Sequence, residues 1–265
     1  ARGASRAGGG HPRPHRAPRR TPRRPRPRAR RAEQAQLSMT PQHARLAAAP
    51  LPRLDHLPAA AFTRVYEPSD DTYLLADVLS AEAAELRRRR PALCVEIGAG
   101  SGALITHLGA LLPPHSAALL ATDVSAAAAE AARATGRANA QPVEVALADL
   151  LSALRPGQVD VLIFNPPYVP TSAAELREAE EARDLSAAWA GGPRGREVID
   201  RLLPSLGAAL SPTGLFYLLG VAENEPTEIA EQLKALHGFE GQLMAQRRAQ
   251  NERLWVWRFS RGPGA

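Results

Sequence analysis

Apolar positions along the chain switch repeatedly between two spacings. Leu74, Leu75, Val78, Leu79 and Leu86 recur at helical intervals and predict a helix with one apolar face. Ser69 or Asp70 can cap its start, Asp71 suits its positive end, and Arg87 to Arg90 fit its solvated C-terminal end. The run 92–97 is short, continuous and apolar, which is the signature of a buried strand. Glycines at 98, 100 and 102 follow it, and then an apolar helix over 103–112. The alternation continues with a strand at 117–121 that closes on Thr122-Asp123. An alanine-rich helix over 125–137 starts from Ser125 as N-cap. Strands are predicted at 143–147 and 159–164, a polar helical stretch at 172–185, a helix at 194–210 and a strand at 215–219. A helix at 226–237 precedes two closing strands near 241–247 and 253–259. Alternating strands and helices predict a mostly parallel sheet covered on both faces. The short link between the last two strands predicts an antiparallel hairpin. One α/β domain accounts for residues 60–265.

Residues 1–59 do not share this pattern. Positions 1–31 hold 12 Arg and 6 Pro with no acidic residue, a composition that cannot bury a core. We read 1–59 as a disordered Arg/Pro/Ala-rich tail, with Met39 near the true start and no function assigned. Arg-rich, acid-poor segments also occur as organellar transit peptides, but the prolines interrupt the amphipathic helix such a signal needs. The expected location is therefore cytoplasmic, with the nucleus as a second compartment and organellar targeting disfavoured.

Charge follows the same division. The formal net charge of +6 and a pI near 10.3 suggest a nucleic-acid binder. Residues 1–60, however, hold 14 Arg against Glu33 and Asp55, a net +12; the other 205 residues hold 19 basic and 25 acidic side chains, a net −6. Phosphate contacts need clustered positive charge, so nucleic acid is a poor partner for the ordered part. Cys94 is the single cysteine, which excludes an intrachain disulfide and a multi-cysteine zinc site; no metal is expected. No apolar stretch reaches 18 residues, so no membrane span is expected.

The chemistry centres on Asn165-Pro166-Pro167-Tyr168, directly after the strand at 159–164. Neither proline can donate to a strand ladder, so the chain must leave the sheet at Asn165. Open α/β sheets build their sites at such carboxyl ends. The Asn165 side-chain oxygen and the Pro166 main-chain oxygen form a fixed pair of acceptors, suited to both hydrogens of one planar NH2 group. Gly98, Gly100 and Gly102 allow a ligand to approach the backbone closely, a property many turns share. Glu96 lies two residues before them. Asp123, at the end of the second strand, can accept from both ribose hydroxyls. Asp149, at the end of the third, suits an adenine amino group. A dinucleotide oxidoreductase leaves the acceptor loop without a role, whereas an S-adenosylmethionine-dependent methyltransferase uses all four features. Trp189, beside Gly191 and Gly192, is read either as part of a packed surface loop or as a wall for the incoming substrate.

Tyr66-Glu67-Pro68-Ser69-Asp70-Asp71-Thr72, Glu96-Ile97-Gly98-Ala99-Gly100-Ser101-Gly102, Thr122-Asp123 and Asn165-Pro166-Pro167-Tyr168 resemble the HemK-related protein glutamine methyltransferases. Ala188-Trp189-Ala190-Gly191-Gly192 with Gly195-Arg196-Glu197-Val198 resembles the eukaryotic and archaeal branch of that family. The resemblance covers about residues 62–260. It implies a Rossmann-like, seven-stranded class I S-adenosylmethionine-dependent methyltransferase fold with the last strand antiparallel. It also implies methylation of the glutamine in the Gly-Gly-Gln motif of a class 1 peptide-chain release factor. Thr72, Glu96, Gly98, Asp123, Asp149, Leu150 and Asn165 fall where the family contacts S-adenosylmethionine. Asn165, Pro166, Pro167 and Tyr168 fall where it holds the substrate glutamine. A small zinc-binding activator protein is the implied partner. Two rival expectations stand beside this one. The same loop serves enzymes that methylate exocyclic amines of adenine or cytosine, which would call for a basic groove and base flipping. A degenerate methyltransferase acting only as a binding subunit is the non-enzymatic alternative.

Overall fold

A computed structural model of the protein describes residues 50–182 and 185–262. Two helices, α1 (Asp70–Ala81) and α2 (Ala83–Arg89), precede β1 (Leu93–Ile97), α3 (Ala103–Leu111), β2 (Ala118–Asp123), α4 (Ala126–Ala138), β3 (Val143–Leu147) and β4 (Val159–Phe164). Then come α5 (Ala173–Ala182), α6 (Glu197–Leu202), α7 (Leu206–Ala209), β5 (Leu210–Val221), α8 (Pro226–His237), β6 (Phe239–Ala249) and β7 (Glu252–Arg261). The strands form one seven-stranded sheet in the order β3-β2-β1-β4-β5-β7-β6. The pairings from β3 to β5 are parallel, and β7 runs antiparallel to both β5 and β6. This is the class I methyltransferase topology that the motifs imply, with its last strand reversed.

Period-two alternation sends successive strand side chains to opposite faces. Cys94, Val161, Ile163, Leu215 and Tyr217 join Leu74, Leu75, Leu79 and Ile105 of α1 and α3 in one core. Val95, Leu162, Phe164, Phe216 and Leu218 meet Ile199, Leu206, Ile229 and Leu233 of α6, α7 and α8 in the other. Leu74, Leu75 and Leu79 are fully buried, each contributing about 2 kcal/mol of transfer free energy. Ser125 caps α4 as expected, its hydroxyl accepting from the Ala128 N–H at 3.4 Å.

Three expectations need correction. The helix expected over 194–210 is broken, because Gly195 takes a left-handed φ of 68° and Pro204 lacks the N–H that a continuous helix requires. β5 starts earlier than residue 215: Val159 pairs with Leu210 and Val161 with Leu215, so Ser211-Pro212-Thr213-Gly214 bulge out of a strand that continues through them. The ordered region also starts before residue 60. The Arg53 N–H donates to Asn139 Oδ1 at 2.8 Å, Asn139 Nδ2 returns a bond to the Arg53 carbonyl at 2.9 Å, and Leu51 packs on the first core. The tail over 1–49, with Met39, lies outside the described residues.

Candidate active site

A cavity of about 800 Å³ opens where β1, β2 and β4 end. Gly98 and Gly100 have φ of +62° and +51°, a conformation that only glycine adopts without strain. The Gly98 N–H is anchored to the Thr122 carbonyl at 2.7 Å, which holds the loop against β2. Gly102 has a different role from its neighbours. It does not line the cavity, and a side chain there would stand 2.5 Å from the Ala132 α-carbon, so it permits α3 to approach α4.

Two acids support the loop. Glu96 is buried beneath it, with Oε2 accepting the Ile105 N–H at 2.9 Å. Burial pushes its carboxyl well above the usual range, the Ile105 N–H opposes this, and the charge of Asp123 adds to it. Asp123 accepts the Gly100 N–H through Oδ2 at 3.1 Å and the Ser125 N–H through Oδ1 at 2.8 Å. Burial raises it too, against the pull of the Ser125, Gly100 and Val124 N–H groups. Each oxygen keeps a lone pair for a further donor, as two ribose hydroxyls require. Past the end of β3, Asp149 lies on the cavity wall and is ion-paired with Arg201. Leu147 and Val124, both 64% exposed, bring apolar surface to the same part of the cavity. That surface suits a flat heteroaromatic ring. Leu150 lines the wall with a left-handed φ of 50°, and its carbonyl accepts from the Thr122 hydroxyl at 3.0 Å.

The acceptor loop forms the opposite side, with Asn165, Pro166, Pro167 and Tyr168 all lining the cavity. Asn165 Nδ2 donates to Asp71 Oδ2 at 3.1 Å. Asn165 Oδ1 is buried and has no hydrogen-bond partner among the described residues. An acceptor left so costs on the order of 1–3 kcal/mol, a cost that an arriving N–H would remove. Tyr168 is buried, its hydroxyl donating to Asp71 Oδ2 at 3.4 Å. Burial and the charge of Asp71 hold its phenol well above the ordinary range, so it remains a neutral donor. Thr72 lines the cavity and donates to Asp71 Oδ1 through its N–H at 2.6 Å and its hydroxyl at 3.2 Å. Trp189 also lines it, half-exposed; its carbonyl accepts the Val169 N–H at 3.0 Å, and the Val169 carbonyl accepts the Gly191 N–H at 2.9 Å. This short parallel bridge fixes the Trp189 segment beside the acceptor loop.

Comparison with known proteins places this arrangement. Residues 70–183 match the model of the methyltransferase small domain family. Over 215 residues the chain is 43% identical to methyltransferase HEMK2 of Mus musculus, an alignment covering 80% of this chain and 97% of that protein. The chain belongs to the HEMK2 family of methyltransferases. It is also 35% identical over 212 residues to the eRF1 methyltransferase catalytic subunit mtq2 of Schizosaccharomyces pombe, spanning 76% of this chain and 90% of that one. Among solved structures it resembles the E. cuniculi Mtq2–Trm112 complex, described as responsible for methylation of the eRF1 translation termination factor. The TM-score is 0.55 at 27% identity, over 75% of this chain and 99% of that chain.

Against the HEMK2-family motifs, two residues of the site carry more than their local sequence suggests. Asp71 reads as an ordinary acid at a helix start, yet it is 3% exposed and collects Asn165, Tyr168 and Tyr66 on one oxygen. Asn224 follows β5 and carries no motif of its own. It is fully buried, and its Nδ2 donates to the carbonyls of Tyr168 at 2.8 Å, Arg194 at 2.8 Å and Gly195 at 3.3 Å. Its Oδ1 accepts the Val221 N–H at 2.7 Å. The single clue to Asn224 in the sequence is an asparagine three residues beyond Val221, where the apolar run 215–221 at the end of β5 stops.

Proposed function

We propose that this chain methylates the side-chain amide nitrogen of the glutamine in the Gly-Gly-Gln motif of a class 1 peptide-chain release factor, with S-adenosylmethionine as donor. The observation that carries the proposal is the unpaired, buried Oδ1 of Asn165 in a loop whose amide is held by a carboxylate. Family membership, and the eRF1 methylation for which the Mtq2 relatives are named, support the same substrate. S-adenosylmethionine supplies a methyl group already activated by its sulfonium. Gly98 and Gly100, Asp123, and Asp149 with Leu147 and Val124 would hold it. A carboxamide nitrogen is a weak nucleophile because its lone pair is delocalised into the carbonyl. Asn165 Oδ1 and the Pro166 carbonyl accept its two hydrogens, orient the nitrogen, and stabilise the positive charge that develops on it. The buried Tyr168 ring closes that end of the cavity to water. The proton then leaves the nitrogen to solvent.

A small activator subunit is the proposed partner, supported by the likeness to the Mtq2–Trm112 complex, and we propose that this subunit binds zinc. The proposed place of action is the cytoplasm, where translation terminates.

The test is to incubate the full chain with the activator, methyl-labelled S-adenosylmethionine, and either release factor or duplex DNA. Label is expected on the release factor alone, and its glutamine-to-alanine variant should stay unlabelled. Label on DNA adenine in preference to the release factor would overturn the proposal.

A further inference from the structure

We infer that Asp71 is a positioning residue that fixes which way round the Asn165 amide sits, so that the site selects an NH2 donor over a group that can only accept hydrogen bonds. The inference rests on the reading of Asn165 as the amide acceptor. Asp71 is 3% exposed and takes five hydrogen bonds. Oδ2 accepts from Asn165 Nδ2 at 3.1 Å, the Tyr66 hydroxyl at 3.1 Å and the Tyr168 hydroxyl at 3.4 Å; Oδ1 accepts from the Thr72 N–H at 2.6 Å and its hydroxyl at 3.2 Å.

A carboxylate can only accept, and a primary amide has a donating and an accepting edge of nearly the same shape. Asn165 therefore meets Asp71 through its NH2 group alone. Turning the amide over would set its oxygen against the carboxylate. The oxygen is thus forced to the side away from Asp71, where it is the buried acceptor left without a partner. Selection follows from that polarity. An incoming glutamine amide brings N–H groups to this oxygen, whereas a glutamate carboxylate brings only acceptors and is repelled.

Asp71→Asn should reverse this preference as well as weaken the site. The new side chain must point its own NH2 at one set of partners. Toward Thr72 it would meet the main-chain N–H that now lies 2.6 Å from Oδ1, which cannot turn away. Toward Tyr66, Tyr168 and Asn165 it meets two hydroxyls that can rotate and an amide that can turn over. The second arrangement is the less costly, and it turns the Asn165 NH2 toward the substrate position.

The experiment uses the full chain with its activator, release factor, and the release-factor variant with glutamate in place of the methylated glutamine. Affinities are measured by calorimetry with S-adenosylhomocysteine present. Wild type is expected to favour the glutamine form about 10-fold, the ratio of one mispaired buried hydrogen bond. Asp71→Asn should bring that ratio to one or invert it and lower kcat about 100-fold. Its S-adenosylmethionine affinity should stay within about 3-fold of wild type, since that ligand does not depend on the amide's polarity. The exchanged pair Asp71→Asn with Asn165→Asp restores a donor facing an acceptor. It should recover turnover relative to Asn165→Asp alone, and it carries the test if Asp71→Asn does not fold. An unchanged selectivity ratio in Asp71→Asn, or an exchanged pair no better than Asn165→Asp, overturns this inference while leaving the function standing. Wild type that fails to label release factor, or Asn165→Ala that labels it normally, overturns both.

Discussion

Asn165 shows how a side chain with two nearly interchangeable edges acquires one chemical meaning from its neighbours. With Nδ2 held on Asp71 and Oδ1 unpaired among the described residues, the role proposed for it lies in catalysis, with little in cofactor binding. Asn165→Ala is expected to lower methyl transfer at least about 100-fold, the scale of losing one preorganised acceptor at a charge-developing atom. Equilibrium binding of S-adenosylmethionine should be nearly unchanged, and near-normal turnover would refute the role. Asp123 yields a prediction about pH. Its carboxyl is raised mainly by burial, and in its proposed role only the ionised form would offer both oxygens as acceptors to a ribose. Cofactor affinity should therefore fall as pH drops through that raised value, with protons released on binding near it. Calorimetry in two buffers of different ionisation enthalpy measures that release, and Asp123→Asn should abolish it.

At the scale of elements, the acceptor loop is held from two sides by parts of the chain distant in sequence. Asp71 at the start of α1 fixes the side chains of Asn165 and Tyr168, 94 and 97 residues away. Asn224 after β5 fixes the Tyr168 carbonyl from 56 residues away. Asn224→Ala would leave the Tyr168 and Gly195 carbonyls and the Val221 N–H unpaired in the interior. It should destabilise the fold by about 3 kcal/mol, seen as a lower denaturant midpoint. Gly195→Ala would drive a methyl group into the Tyr168 carbonyl at a positive φ. Its expected signature is a loss of turnover with cofactor affinity retained.

These elements also show what could be read in the sequence. The strands that end at Asp123 and Asn165 were legible because apolar runs stop at residues with a clear reason to leave a sheet. The break at Pro204 in the helix expected over 194–210 was legible, since proline lacks the N–H a helix needs. The late start of that helix at Glu197 was not, since it arises where Gly191 and Gly195 pass beneath the Pro167 and Tyr168 carbonyls. No local periodicity encodes that approach. Asp71 was hidden for a related reason: an acid at a helix start already has an adequate local explanation.

For the whole molecule, charge divides along the chain. Residues 1–49 carry 13 Arg and one acid, a net +12, while residues 50–265 carry 20 basic and 26 acidic side chains, a net −6. A protein trimmed to begin at residue 50 keeps Leu51, Arg53 and His56 in their contacts with the core and with α4. It should retain methyl transfer within about 2-fold, because every described residue that lines the cavity lies beyond that point. Its retention on a cation-exchange resin should disappear, since that binding depends on clustered positive charge. A large loss of activity on trimming would give the basic segment a part in the reaction. The sheet itself was foreseen in strand number and direction of pairing, whereas the start near residue 50 depended on the Asn139 side chain, whose contact with Arg53 spans 86 residues.

The place of β7, between β5 and β6 and antiparallel to both, bears on how the protein is made. A ribosome delivers the strands in numerical order, and domains begin to fold during synthesis. β5 and β6 must therefore wait, each with an open edge, for the strand that joins them. A nascent chain stalled before Glu252 already holds every described residue that lines the cavity, from Arg64 to Arg201, yet has no way to close its sheet. Such unpaired edges are templates for association with other chains. Premature arrest during its own translation should leave this protein as an aggregating fragment, and the nascent chain is committed to its fold only once its final strand has been added.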